Sequence, residues 1–185
     1  MLLILKYSTM RTLKQFMLLV MTMSLVSLSS CSKDDDGGDG GGAASGVLTA
    51  KVDGTSYESM EISSSATIAN AGGVQNLVII ASNSDGNAFS MTVFGYSGTG
   101  TYEFTGANIA VTNTASYTEI DVSNPTMPEI WQAPYDATLS GTISISEETN
   151  DKVKGTFEFT CKNVNGDQSV KTITEGSFNL NKQTT

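Results

Sequence analysis

Residues 152–162, Lys-Val-Lys-Gly-Thr-Phe-Glu-Phe-Thr-Cys-Lys, alternate without a break. Val153, Gly155, Phe157, Phe159 and Cys161 fall on one side of an extended chain. Lys152, Lys154, Thr156, Glu158, Thr160 and Lys162 fall on the other. Strand side chains point to opposite faces in turn, whereas helical faces recur every 3.6 residues, so this stretch predicts a half-buried strand. Just upstream, Leu139, Gly141, Ile143 and Ile145 alternate against Ser and Thr in the same way. With Glu148-Thr149-Asn150 as a three-residue loop, the inward faces match when Ile145 meets Val153, Ile143 meets Gly155 and Gly141 meets Phe157. Each glycine then faces a large side chain, the complementarity of a curved, tightly packed sheet.

The same period extends outward from this hairpin. Further strands are expected at residues 47–53, 57–62, 66–70, 76–82, 88–96, 101–105, 116–122 and 169–180. Asp53-Gly54, Gly72-Gly73, Asp85-Gly86 and Asn165-Gly166 punctuate them as turns. Leu77-Val78-Ile79-Ile80 is apolar on both faces, which predicts a central strand covered on both sides. No stretch carries the pattern of an amphipathic helix. Nine or ten short strands predict an all-β domain, a single antiparallel β-sandwich or partly open barrel. Residues 124–135 break the rhythm with all three prolines (Pro125, Pro128, Pro134) and the only tryptophan, Trp131. Proline removes ladder donors, so this segment is expected to be a long ordered loop, a common place for function on a β scaffold.

The N-terminus reads differently. Lys6, Arg11 and Lys14 form a basic region, residues 16–28 a short apolar run, and Leu28-Ser29-Ser30 a small-residue site before Cys31. That order is a secretory signal, and the apolar run is short of the roughly 20 residues a membrane span needs. Met10 to Cys31 would serve as a complete signal by itself. Three regions follow: a cleaved signal peptide at 1–30, a Cys31-headed Asp/Gly linker at 31–45, and an all-β domain at 46–185. The Gly-rich, acidic linker cannot bury apolar surface and is expected to be disordered. Residues 32–45 would give it a root-mean-square span of roughly 20 Å.

Composition excludes several chemistries. Removing residues 1–30 takes away Lys6, Arg11 and Lys14 and no acid, so seven basic and 19 acidic residues remain, a net charge of −12. The rest of the chain has neither Arg nor His. Ser-His-Asp and Cys-His catalysis are closed to it, as are His-based zinc sites and bidentate arginine clamps. Six scattered lysines on the acidic domain make no nucleic-acid footprint. Cys161 has no partner once Cys31 is lipidated, and its inward position beside Phe157 and Phe159 marks it as a small core residue.

Two groups of residues stand out as candidate ligand-binding sites. Trp131, Tyr135 and Tyr117 could form an aromatic platform for a sugar face; the competing reading is that Trp131 plugs one end of the core. Tyr117, Glu119 and Asp121 alternate on one strand face, where the carboxylates could hold Ca²⁺ or act as an acid–base pair. A solvated strand face is the simpler reading of that trio. Residues 83–87 and 163–167 resemble calcium loops but lack the full ligand series, and they read as tight turns. No catalytic residue, metal site or non-covalent cofactor is expected.

Leu28-Ser29-Ser30-Cys31 resembles the bacterial lipobox, which implies a lipid on Cys31. Ser32-Lys33-Asp34-Asp35-Asp36 is similar to the acidic export signal of Bacteroidota surface lipoproteins. Residues 139–145, 153–160 and 173–178, with Ala50-Lys-Val-Asp-Gly54, resemble a Bacteroidota family of small all-β lipoproteins of unknown function. The resemblance implies fold and location and transfers no catalytic residue. The expectation is an outer-membrane lipoprotein exposed on the cell surface, a non-enzymatic module for a glycan, polymer or protein ligand. The alternatives are a structural component of an outer-membrane complex and a carboxylate-based hydrolase.

Overall fold

Alternation runs through nearly the whole domain. The computed structural model describes residues 42–108, 111–121 and 123–183. The expected signal peptide, Cys31 and most of the expected linker lie outside these residues. Eleven strands follow in order: β1 (Leu48–Val52), β2 (Thr55–Glu58), β3 (Ser64–Ala71), β4 (Val74–Ser82), β5 (Ala88–Phe94), β6 (Gly100–Thr105), β7 (Thr114–Glu119), β8 (Glu129–Ala133), β9 (Leu139–Glu148), β10 (Lys152–Lys162) and β11 (Val170–Gln183). A single 3-10 turn, Glu61–Ser63, sits between β2 and β3.

Hydrogen bonding links all eleven strands. One layer runs β2-β1-β11-β10-β9-β6 and the other β3-β4-β5-β7-β8. They join at two corners. Lys162 of β10 pairs with Gln132 of β8, and the end of β11 pairs with β3 through Lys182 and Ala66. This last contact is the parallel one in an otherwise antiparallel set. The arrangement is an all-β sandwich with barrel-like closure.

The core lies between the layers. Phe89 of β5 is fully buried and packs against Tyr57 of β2 at 4.8 Å between ring centroids, Phe157 at 5.6 Å and Phe159 at 6.3 Å. Such edge-to-face contacts add to the area the rings bury. Leu48, Leu77, Ile79, Met91, Phe104, Ile143, Phe178 and Leu180 complete it.

The hairpin forms between the expected segments, with its register two residues away from the predicted one. Gly155 faces Ile145, Phe157 faces Ile143 and Gly141 faces Phe159. A bulge between Lys154 and Gly155 leaves Ser146 without a partner on β10 and carries β9 on to Glu148. That extension sets Glu147 3.0 Å from Lys154 Nζ and Glu148 2.8 Å from Lys182 Nζ. The small-against-large rule survives because sliding by two keeps every side chain on its face.

Other expectations are corrected. Residues 129–133 form a strand inside the segment expected to be a loop, because Pro128 and Pro134 flank the stretch and leave its own N–H groups free to pair. Residues 57–62 extend only to Glu58, and 116–122 becomes Thr114–Glu119, with Val122 outside the described residues. Leu77, Ile79 and Ala81 of β4 are buried, but Ile80 is half exposed, so β4 is central in pairing order and open on its outer face. The last linker residues are ordered. The Ala43 N–H donates to Ser177 Oγ at 2.9 Å, Gly46 N–H to Asn179 O at 2.7 Å, and Lys152 Nζ to Ser45 Oγ at 2.8 Å. The sheet offers these backbone groups partners that an isolated Gly/Ala segment lacks.

Glu148 accepts from both Lys182 Nζ and the Tyr96 hydroxyl, each at 2.8 Å. Chiefly through Lys182, its carboxyl is held below the ordinary value. Hydroxyl and backbone donors in Asp-x-Ser/Thr turns do the same for Asp121, Asp136 and Asp167. A carboxyl depressed in the folded state contributes stability above its unfolded pKa of about 4, lost as pH falls through the folded value. The urea midpoint is therefore expected to stay level from about pH 7 to about pH 5 and to drop below about pH 4. Glu148→Gln should soften that drop, and an unchanged acid limb in this variant would contradict the assignment.

Candidate functional site

Where β7 ends, four elements converge. Register places Tyr117 of β7 between Phe89 of β5 and Trp131 of β8. Tyr117 and Trp131 are each only 3% exposed, with ring centroids 6.2 Å apart. Trp131 Nε1 donates to Ser169 Oγ at 2.9 Å, and Ser169 in turn donates to Asp167 Oδ1 at 2.6 Å. A buried indole with its N–H satisfied is a core element and cannot serve as an open stacking face. The aromatic platform is withdrawn on that ground. Tyr135 lies half-buried in the loop after β8, and among the described residues no ring contact joins it to Trp131.

Lys171 covers the rings from outside. It stands on β11 opposite Cys161, and its ammonium is 4.3 Å from the Trp131 ring centroid and 5.7 Å from that of Tyr117. The same Nζ lies 2.9 Å from Glu119 Oε1 and 4.0 Å from Asp53 Oδ2. A cation over a desolvated aromatic face is stabilised by the ring quadrupole as well as by its carboxylates. Asp53 is fixed separately. It begins the β1–β2 turn at φ +48°, and its Oδ1 accepts the Thr172 N–H at 2.8 Å.

These groups border a cleft of about 310 Å³ lined by the β1–β2 turn, the β4–β5 turn, the end of β7 and Lys171. Tyr57 and Tyr117 lie at its base. The Tyr57 hydroxyl donates to the carbonyls of Ala81 and Asn87, tying the β4–β5 turn to the core. Asn83 closes that turn, its Oδ1 accepting from Asp85 N–H at 3.1 Å and Asn87 N–H at 2.9 Å. The turn reading of residues 83–87 thus matches the hydrogen bonding. In residues 163–167 the buried Asn163 has the same part, its carbonyl accepting from Gly166 and Gln168. Burial drives the Tyr57 and Tyr117 hydroxyls well above their ordinary pKa, with nearby Glu119 adding to the effect on Tyr117. Both remain neutral donors.

Glu119 and Asp121 do not act as a pair. Glu119 ends β7 and binds Lys171, whereas Asp121 lies beyond the strand and accepts from the Ser123 N–H and hydroxyl at 2.9 and 2.6 Å. Among the described residues no three acidic or cysteine side chains converge as a metal-binding set.

Over residues 44–180 the chain matches a family described as a domain of unknown function, DUF6252. The chain belongs to that family. No curated protein and no solved structure matches it. The matched span includes every residue of the cleft, so the site sits wholly within the family's domain.

Local alternation marks Tyr117 and Glu119; Asp53 and residues 83–87, with Asp85 and Asn87, are marked as turns rather than as site residues, and Tyr57 and Lys171 are not marked at all. The two Asp-Gly dipeptides are legible as turns, but only the layer order brings both turns to the same end. Lys171 carries no local signal at all.

Cys161, fully buried on β10 opposite Lys171 of β11, donates to Lys171 O at 3.7 Å. Burial, and to a lesser degree Asp53, push its thiol up to about 12. The thiolate is the reactive form. The native thiol is therefore expected to resist an aromatic disulfide reagent at about pH 8 and to react fully in urea. Rapid labelling of the native protein would refute this.

Proposed function

We propose that the chain is a lipid-anchored, non-enzymatic binding protein of a Bacteroidota outer membrane, exported by residues 1–30, held by a lipid on Cys31 and exposed at the cell surface. Its domain holds a saccharide unit in the cleft between Asp53, Asp85, Glu119 and Lys171. The signal and lipobox-like residues support the location. Each buried CH₂ of an acyl chain contributes about 0.8 kcal/mol, so two or three chains hold the protein firmly where one would not.

The observation that carries the binding reading is the cleft. Its volume of about 310 Å³ is at the small end of ligand sites. Its walls are hydroxyls, amides and carboxylates over tyrosine rings. The exposed Thr55 and Ser56 hydroxyls and the half-buried Asn87 side-chain amide line it without intramolecular partners among the described residues. Hydrogen-bonding groups left unspent around a partly enclosed space suit a polyhydroxylated ligand. The chain has no histidine, so His-based acid–base chemistry is not offered there.

Two measurements test this. Cys31→Ala should abolish fatty-acid labelling and membrane retention; unchanged partitioning refutes the anchor. Trp131, the only tryptophan, has its ring centroid 4.3 Å from the ammonium of Lys171, which lines the cleft, so its fluorescence should report ligand entry through Lys171. A panel of neutral, amino and acidic oligosaccharides titrated into the full-length chain should include at least one that binds. Silence from all of them at millimolar concentration, by fluorescence and calorimetry, removes the saccharide reading.

A further inference from the structure

We infer that the outer face of the β3-β4-β5-β7-β8 layer is the surface through which two copies of this chain pair, face to face. Charge is divided unequally between the layers. On the other layer, Lys51, Lys152, Lys154, Lys162, Glu103 and Glu158 alternate with buried residues and so lie on its outer face. In β3, β4, β5, β7 and β8 the charged residues are Glu119 and Glu129 alone. These two are in register with each other, on the side of the sheet where Tyr117 and Trp131 are buried. The outer face of the five strands therefore carries no charge, in a chain whose net charge is −9.

Apolar side chains stand on that face instead. Ile80 of β4 is 50% exposed, Phe94 of β5 39% and Ile130 of β8 41%. Ile80 is in register with Ser65 on β3 and Ser90 on β5, and Ser90 with Ser116 on β7. A large side chain beside small ones makes a ridge next to a hollow. A copy related by a twofold axis would set its Ile80 over the partner's hollow and receive the partner's ridge in return. Sheets that stack face to face in this way lie about 10 Å apart. The area is sufficient. Five strands about 4.8 Å apart, averaging about seven residues of about 3.3 Å each, outline about 550 Å² a side. A pair would bury about 1,100 Å², above the roughly 1,000 Å² that a specific interface needs. Charge selects the occupant. Two copies of like net charge are least opposed where neither presents a charge, and a charged partner finds no complement there. The same chain supplies a second face of equal size that is equally uncharged.

Sedimentation of the full-length chain in density-matched detergent, from about 1 to about 100 µM, tests this. A monomer–dimer equilibrium is expected. It should tighten as salt rises, because salt screens the repulsion between copies and the paired face has no ion pairs to lose. Ile80→Lys and Thr92→Lys each bring one lysine from each copy into the paired face and should weaken association at least about tenfold. Thr156→Lys adds the same charge to the exposed side of β10 and should leave association unchanged. All three variants keep the N-terminal segment, so they separate pairing through the face from two chains sharing a micelle. Urea midpoints check that each variant folds; should one fail, the other carries the comparison, and the salt dependence needs neither. A wild-type chain that stays monomeric to about 100 µM, association that weakens with salt, or lysine variants at Ile80 and Thr92 that pair as well as the wild type overturns the inference.

Discussion

Phe89→Ala is expected to destabilise the domain by about 3–5 kcal/mol, the range for emptying a buried phenylalanine site. Phe89 is fully buried, and its ring contacts Tyr57, Tyr117, Phe157 and Phe159, so it bridges the two layers and also supports the base of the cleft. Those partners come from three strands, β2, β7 and β10, in both layers and cannot all collapse inward together. Total stabilities of about 5–15 kcal/mol make this a loss of about a fifth or more. Urea unfolding followed by circular dichroism should show the midpoint falling with little change in slope. Phe89→Leu, which keeps most of the volume, should recover much of the loss. A change below about 1 kcal/mol for Phe89→Ala would show that the bridge between layers is not where stability resides.

Gly141→Ala should be nearly as damaging for the opposite reason. Gly141 has φ +157°, and a Cβ there would overlap Glu158 O and Phe159 Cα, both backbone atoms of β10. No rotamer change relieves an overlap with backbone, so β9 and β10 must part at the open end of their ladder, where Gly141 faces Phe159. Overpacking typically costs about 1–3 kcal/mol and more where neighbours cannot give. Gly54→Ala provides the control. Its φ is +84°, and an added Cβ meets nothing within 4 Å, so it isolates backbone strain. Equal losses in the two variants would assign the Gly141 effect to strain rather than contact.

How much of this was legible depends on the distance over which each feature is encoded. Alternation at Val153, Gly155, Phe157, Phe159 and Cys161 identifies faces, and all five are buried. The hairpin register escapes because a different loop closure, with Glu148 opposite Val153, and the bulged Ser146 together move the pairing by two residues, and a shift of two changes no face. β8 escapes because three prolines within twelve residues mask a five-residue strand that Pro128 and Pro134 bracket rather than interrupt. Ile80 is apolar, yet half exposed: among the described residues no helix or third layer covers the outer face of β4. At the site, Tyr117 and Glu119 were found because they alternate locally. Asp53, Asp85 and Lys171 are separated by more than thirty residues at the least, and no period in the sequence relates them. Their meeting is a property of strand order.

The position of β1 has a mechanical consequence. The chain enters the domain through residues 43–46, held to β11, and then runs along β1 to Val52 and Asp53 at the cleft. β1 is flanked by β2 on one side and β11 on the other. If the chain is tethered at its N-terminus while a ligand is gripped in the cleft, tension enters at one end of β1 and is resisted at the other. The ladders on both sides then carry the load together in shear, instead of opening one bond at a time as a peeled edge strand would. A domain built this way can keep hold of a bound polymer under drag that would unzip it from either edge.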